Sequence, residues 1–168
     1  YFRFLGVLGW ENQDSEAFQA ISDIPVEKIG KLSGERIHGE LKKLFSSAVN
    51  PWPAFEQILH SGLWKKLTGK ETLKIKNPES LHSNLKAVPA EEKANLWLTA
   101  VFYTGDVKAD CAHMNAILHP PKRLIQIRQA TEIIPYSFER PSEAMFAIQN
   151  FERPLKPGDF ERYGLALS

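Results

Sequence analysis

The chain carries a single cysteine, Cys111, so no disulfide can close within it, and a small-loop fold stapled by cross-links is excluded. A lone thiol suits a reducing compartment, and cytoplasm is the expected location. Long apolar runs are also missing. No stretch approaches the roughly eighteen consecutive apolar residues that read as a membrane span, and no signal-peptide pattern opens the sequence. There is no glycine-rich phosphate loop. The five histidines, His38, His60, His82, His113 and His119, lack metal-ligand spacing. Cys111-x-His113 stands alone where a zinc site needs about four ligands. No nucleophile–base arrangement is evident. Neither a catalytic residue nor a metal site is therefore expected in these 168 residues.

What is present is the composition of an ordinary globular protein, 43% hydrophobic and 24% charged, long enough to bury a sizeable core. The net charge of +1 conceals an uneven distribution. Residues 1–27 set Arg3 against five carboxylates; residues 28–128 hold sixteen Lys or Arg against nine Asp or Glu; the last forty residues return to a net −2. Within the middle, Lys65, Lys66, Lys70, Lys74 and Lys76 face only Glu71, and Lys122, Arg123 and Arg128 form a second cluster. Such a basic tract between acidic ends is either a phosphate-binding surface or a solvated lysine face.

Nearly every segment has helical rhythm. Residues 1–9 read as a helix, and Asp14 or Ser15 caps a second that Pro25 closes. Ser33 caps a helix running to about Ala48, in which Ile37, Leu41, Leu44, Phe45 and Ala48 form one apolar stripe. Glu35 sits in its first turn, where the helix dipole favours negative charge. Asn50-Pro-Trp-Pro53 interrupts the chain. A stripe over Ala54, Phe55, Ile58 and Leu59 follows, ended by Gly62 in a left-handed cap. Residues 68–77 read as an exposed connection and an internal boundary. Pro78 opens a short helix with Leu81 and Leu85. Ala90 to about Thr104 is apolar on nearly all sides, which belongs in the middle of a bundle. Asp106 caps a helix to about Leu118, another runs from Lys122 to Ile134, and further short helices are expected from Ser142 and Asp159. The expected fold is all-α, an irregular bundle of eight or nine short helices.

The most specific local pattern is Ser33-Gly-Glu-Arg-Ile-His-Gly-Glu-Leu-Lys-Lys-Leu44, preceded by Arg3-Phe4 and Leu8-Gly9-Trp10 and followed by Ser61-Gly62-Leu63. Together these resemble the neck region of the class II RNA nucleotidyltransferases, the bacterial CCA-adding tRNA nucleotidyltransferases and their poly(A) polymerase relatives. That family shows Arg-Phe, a short gap, Leu-Gly-aromatic, an acidic patch and then Ser-x-Glu-Arg-Ile-x-x-Glu-Leu-x-Lys-Leu. The resemblance covers residues 1–67, a neck akin to the family's RNA- and SrmB-binding region, with residues 68–168 as helical body and tail. The family's head motifs, a Gly-Ser or Gly-Gly, a metal-binding Asp-x-Asp and a nucleotide-selecting Glu-Asp-x-x-Arg, are not in the sequence. The expectation is accordingly a C-terminal part of such an enzyme without its N-terminal catalytic head.

The resemblance implies a parent that adds C, C and A to tRNA 3′ ends, using ATP and CTP with Mg²⁺ held by carboxylates of that head. It implies no cofactor held by this chain. Arg3 takes the place of an arginine that approaches the incoming nucleotide, a role suited to its planar donor fork. Ser33, Glu35 and Arg36 match the structural motif, with Glu35 and Arg36 expected as a buried or half-buried pair supporting the nucleotide pocket. Lys42, Lys43, Lys65, Lys66, Lys122, Arg123 and Arg128 are the candidate contacts to the tRNA backbone at the 3′ end and acceptor arm. Their contribution would be insensitive to sequence and weakened by salt. Trp52 and Trp64 are read as core closures rather than base-stacking platforms. A poly(A) polymerase, or a free-standing helical RNA- or protein-interaction module, remains an alternative.

Overall fold

The computed structural model describes residues 1–133 apart from positions 10, 12, 48, 71, 72, 74, 76, 77 and 87. The described residues are all-α, with ten helices: α1 (Phe2–Leu8), α2 (Ser15–Ser22), α3 (Val26–Ile29), α4 (Gly34–Ser47), α5 (Trp52–His60), α6 (Leu63–Thr68), α7 (Pro78–Asn84), α8 (Ala90–Phe102), α9 (Val107–Leu118) and α10 (Lys122–Ile133). The helices expected from Ser142 and Asp159 lie outside the described residues.

Side-chain caps open α2, α4 and α9. The Asp14 carboxylate accepts from the amides of Glu16 and Ala17, each at 3.0 Å. Ser33 Oγ accepts from the Arg36 amide at 3.3 Å, and Asp106 accepts from the Ala109 amide at 2.9 Å. Each satisfies amides that the first helical turn leaves without an internal partner. Four elements depart from the sequence expectation. Pro25 begins the one-turn α3 instead of only closing α2. Helix α5 starts at Trp52, because Pro51 precedes its first turn and Pro53 lies within that turn, where no amide is needed. Gly62, at φ 70°, turns the chain directly from α5 into α6, a left-handed conformation costly to any side chain. Helix α8 stops at Phe102, earlier than expected, because the Thr104 amide donates to the Asp110 carboxylate at 3.0 Å instead of continuing the helix.

Helix α8 is the centre of the bundle. Every residue from Ala94 to Phe102 is buried, and α4 is its most extensive neighbour. The α4 stripe does what its spacing predicts: Leu41, Leu44 and Phe45 are buried and Ile37 half-buried against the same core. The aromatic rings are contiguous. Phe45 stacks on Trp97 at 5.6 Å between centroids, Phe55 meets Trp64 edge-on at 5.1 Å, and Trp64 meets Phe102 at 5.1 Å. Trp64 is 2% exposed and Trp52 stacks at 6.2 Å on Trp97, so both serve the core. A single apolar cluster reaches from Leu5 to Ile127. It crosses the expected boundary at 68–77, where Leu73 and Ile75 pack against it. Leu73 and Ile75 are therefore partly buried, and the described segments on either side of them share one core.

Close approach also fixes the crossing of α4 and α9. A Cβ on Gly34 would stand 2.8 Å from the Ile117 carbonyl oxygen and 2.9 Å from the Leu118 carbonyl carbon. The α9 terminus is held by His119 in the left-handed region, φ 44° and ψ 55°, which for a residue with a Cβ is sterically unfavourable.

Candidate functional site

Helices α1, α4, α5 and α6 enclose a half-open groove of about 260 Å³. Its floor is apolar because the inner stripe of α4 meets α5 there: Leu41, Leu44 and Ile58 all line it and all are buried. Ile37, Leu63 and Leu67 continue the apolar wall, and Phe4 and Leu32, 59% and 45% exposed, carry it out to solvent. Three charged side chains share the lining: Arg3, Arg36 and Glu40. Arg3 is half-buried, with its guanidinium 5.2 Å from the Phe4 ring centroid; Arg36 is exposed. Glu40 accepts from Lys43 at 2.9 Å. That hydrogen bond holds its carboxyl below the usual carboxylate range, and the Lys43 and Arg3 charges add to the effect. Two guanidiniums thus face a groove whose one carboxylate is already paired.

The motif residues divide between two places. Ser33 caps α4 as expected. Glu35 and Arg36 do not form the buried pair expected of them: both are exposed, and successive residues on a helix project about 100° apart. Arg36 turns to the groove. Glu35 turns to the end of α9, where its Oε1 lies 3.3 Å from His119 Nδ1, the two side chains 68% and 58% exposed. Its own backbone amide and His119 lower the Glu35 pKa, in that order.

The basic residues are scattered over the fold, and two of them are corrected outright. Arg128 is no RNA contact. It is 1% exposed, and its guanidinium donates to Asp110 Oδ2 through Nε at 3.0 Å and an NH₂ at 2.6 Å. Asp110 is 0% exposed and also accepts from the Thr104 amide and, at 2.5 Å, from its hydroxyl. The Tyr103 ring lies 5.2 Å from the Arg128 guanidinium carbon. A charge enclosed in this way cannot reach a phosphate. Lys66 is likewise structural, since its half-buried ammonium donates to the carbonyls of Ser22 and Ile24 at 2.5 and 3.0 Å, tying α6 to the end of α2.

The other cations stay nearer to solvent. Lys42 pairs with Glu91 at 2.8 Å and Arg123 with Glu92 at 3.2 Å, so the fold brings α4 and α10 together at the start of α8. Lys43 is occupied with Glu40. Lys65 and Lys122 are exposed. An exposed pair such as Lys42–Glu91 is worth about 0–1 kcal/mol, so a phosphate can replace its carboxylate at little cost, whereas Arg123–Glu92 is half-buried.

Sequence reasoning missed the Asp110–Arg128–Thr104 network and the groove. The first had a faint signal, an acidic residue in a helix rich in small side chains; the second depends on four helices meeting. Among the described residues no group of three or more His, Cys, Asp or Glu converges as a metal site, and no helix is long and apolar enough to cross a membrane. Comparison with protein-family models, with curated proteins and with solved structures found no match to this chain.

Proposed function

We propose that the chain is the helical, RNA-binding part of a tRNA nucleotidyltransferase that adds CCA to tRNA 3′ ends. In this reading Arg3 completes the nucleotide pocket beside a catalytic head outside this sequence, and that head supplies the carboxylates for Mg²⁺. The surface cations grip the tRNA backbone. One observation carries the reading: the neck-like pattern from Ser33 to Leu44 presents Arg36 at the same groove as Arg3 of the Arg3-Phe4 element. Support for the grip comes from Lys65 and Lys122, which are exposed, and from Lys42, whose pair with Glu91 lies at the surface. Recognition would rest on shape and phosphate, as for other duplex RNA partners.

The test is binding of the chain to tRNA lacking CCA, mature tRNA and unstructured RNA across a salt series. The expected result is dissociation constants of about micromolar order at low salt that favour tRNA and weaken steeply as salt rises. Lys65→Gln and Lys122→Gln should each reduce the salt slope by about one without changing the RNA preference. Lys66→Met should leave the slope alone and lower only stability. Equal affinity for tRNA and unstructured RNA, or a slope indifferent to Lys65 and Lys122, refutes the proposal.

A further inference from the structure

We infer that the groove between α1, α4, α5 and α6 binds an alkyl monocarboxylate of about ten carbons, an inference that does not rest on the RNA reading although it uses the same groove and arginines. The size follows from volume. An apolar cavity of about 150 Å³ holds the six carbons of benzene, so 260 Å³ scales to about ten. The apolar character follows from the floor and wall, where Leu41, Leu44, Ile58, Ile37 and Leu67 offer nothing for a polar body to bond. Sites of this kind sit between bundle helices, with a few polar groups fixing the ligand's orientation.

The head group follows from charge. Glu40 is taken by Lys43, and among the described residues no carboxylate lies within ion-pairing distance of Arg3 or Arg36. Both guanidiniums retain accessible surface, so an anion can reach them while its chain lies inward. A planar carboxylate matches the guanidinium fork in two parallel hydrogen bonds. A cationic head would meet the same two charges as repulsion.

Calorimetric titration of the whole 168-residue chain with hexanoate, octanoate, decanoate and dodecanoate, kept below micelle formation, tests this. Affinity should rise about fourfold per added methylene and level off near ten carbons. Decanol and decyltrimethylammonium should bind at least about tenfold more weakly than decanoate, lacking the charge-assisted bonds. The double variant Arg3→Gln/Arg36→Gln should lose the preference for decanoate over decanol and keep the dependence on chain length. Ile37→Trp on α4 and, separately, Leu63→Trp on α6 should fill the groove and abolish binding, with circular dichroism identifying whichever variant stays folded. Affinity that ignores chain length, decanol binding as tightly as decanoate, or decanoate binding unchanged in a folded groove-filled variant overturns the inference. ATP or CTP binding without any decanoate binding also overturns it and leaves the RNA reading standing. Decanoate binding without tRNA binding supports it and refutes that reading alone.

Discussion

Replacing Arg128 with methionine tests the central correction to the sequence reading. Methionine keeps much of the arginine stem's volume and its packing near Tyr103, but removes every hydrogen bond to Asp110. The carboxylate, 0% exposed, then keeps the bonds from the Thr104 amide and hydroxyl but loses the Arg128 countercharge. Removing one partner of a buried ion pair typically costs about 3–5 kcal/mol, because the survivor is a desolvated, uncompensated charge. For a chain of this length each kcal/mol moves the melting temperature by about 2–4 °C, so Arg128→Met should melt roughly 6–20 °C lower. That is a large share of the stability of an ordinary domain. Urea unfolding followed by circular dichroism and by the buried Trp64 and Trp97 gives the free energy directly. The double variant Asp110→Asn/Arg128→Met should recover at least about 1 kcal/mol over Arg128→Met, since an amide still accepts from Thr104 without needing a countercharge. A loss below about 1 kcal/mol in Arg128→Met, the range of an exposed pair, would refute the burial argument. So would a weakened salt dependence of RNA binding in a variant that remains fully folded.

Two further outcomes follow from the packing and the histidines. Gly34→Ala should destabilise by about 1–3 kcal/mol in thermal melts, because the new Cβ meets backbone of α9 at 2.8–2.9 Å and overpacking outweighs the helix preference for alanine; a gain in stability would show that α4 and α9 separate freely. The folded state should also weaken as pH falls from 8 to 5. Burial lowers the pKa of His38, His82 and His113 below the ordinary 6.5, so below that pH the unfolded chain binds protons that the native chain refuses. Stability from these groups is thus complete above 6.5 and is lost as pH descends toward the depressed native values. His113 has the clearest anchor, its Nε2 bonded to the Thr68 carbonyl at 2.9 Å. The urea midpoint of His113→Gln should accordingly change less between pH 8 and 5 than that of the natural chain. A midpoint flat over that range in the natural chain would remove the argument.

How much was legible beforehand divides along sequence separation. Helix periodicity, the caps at Asp14, Ser33 and Asp106, and the central place of α8 all depend on groups within a few residues of one another, and the amino-acid order determined them. A backbone amide bonds its cap two or three positions away whatever the rest of the chain does. The short α3 and α6 were hidden because prolines and glycines that end one helix also begin the next. Tertiary structure decided which charges are free. Arg128 finds Asp110 eighteen residues away, Lys66 finds the end of α2 at a separation of over forty, and Glu35 meets His119 at eighty-four. From sequence, all three looked like members of a basic tract or a local pair. The groove belongs to the same class, since its floor exists only where α1, α5 and α6 close over one stripe of α4. Local hydrogen bonding is written residue by residue, whereas the burial of a charge or the opening of a cavity is a property of surfaces that meet only in the folded chain.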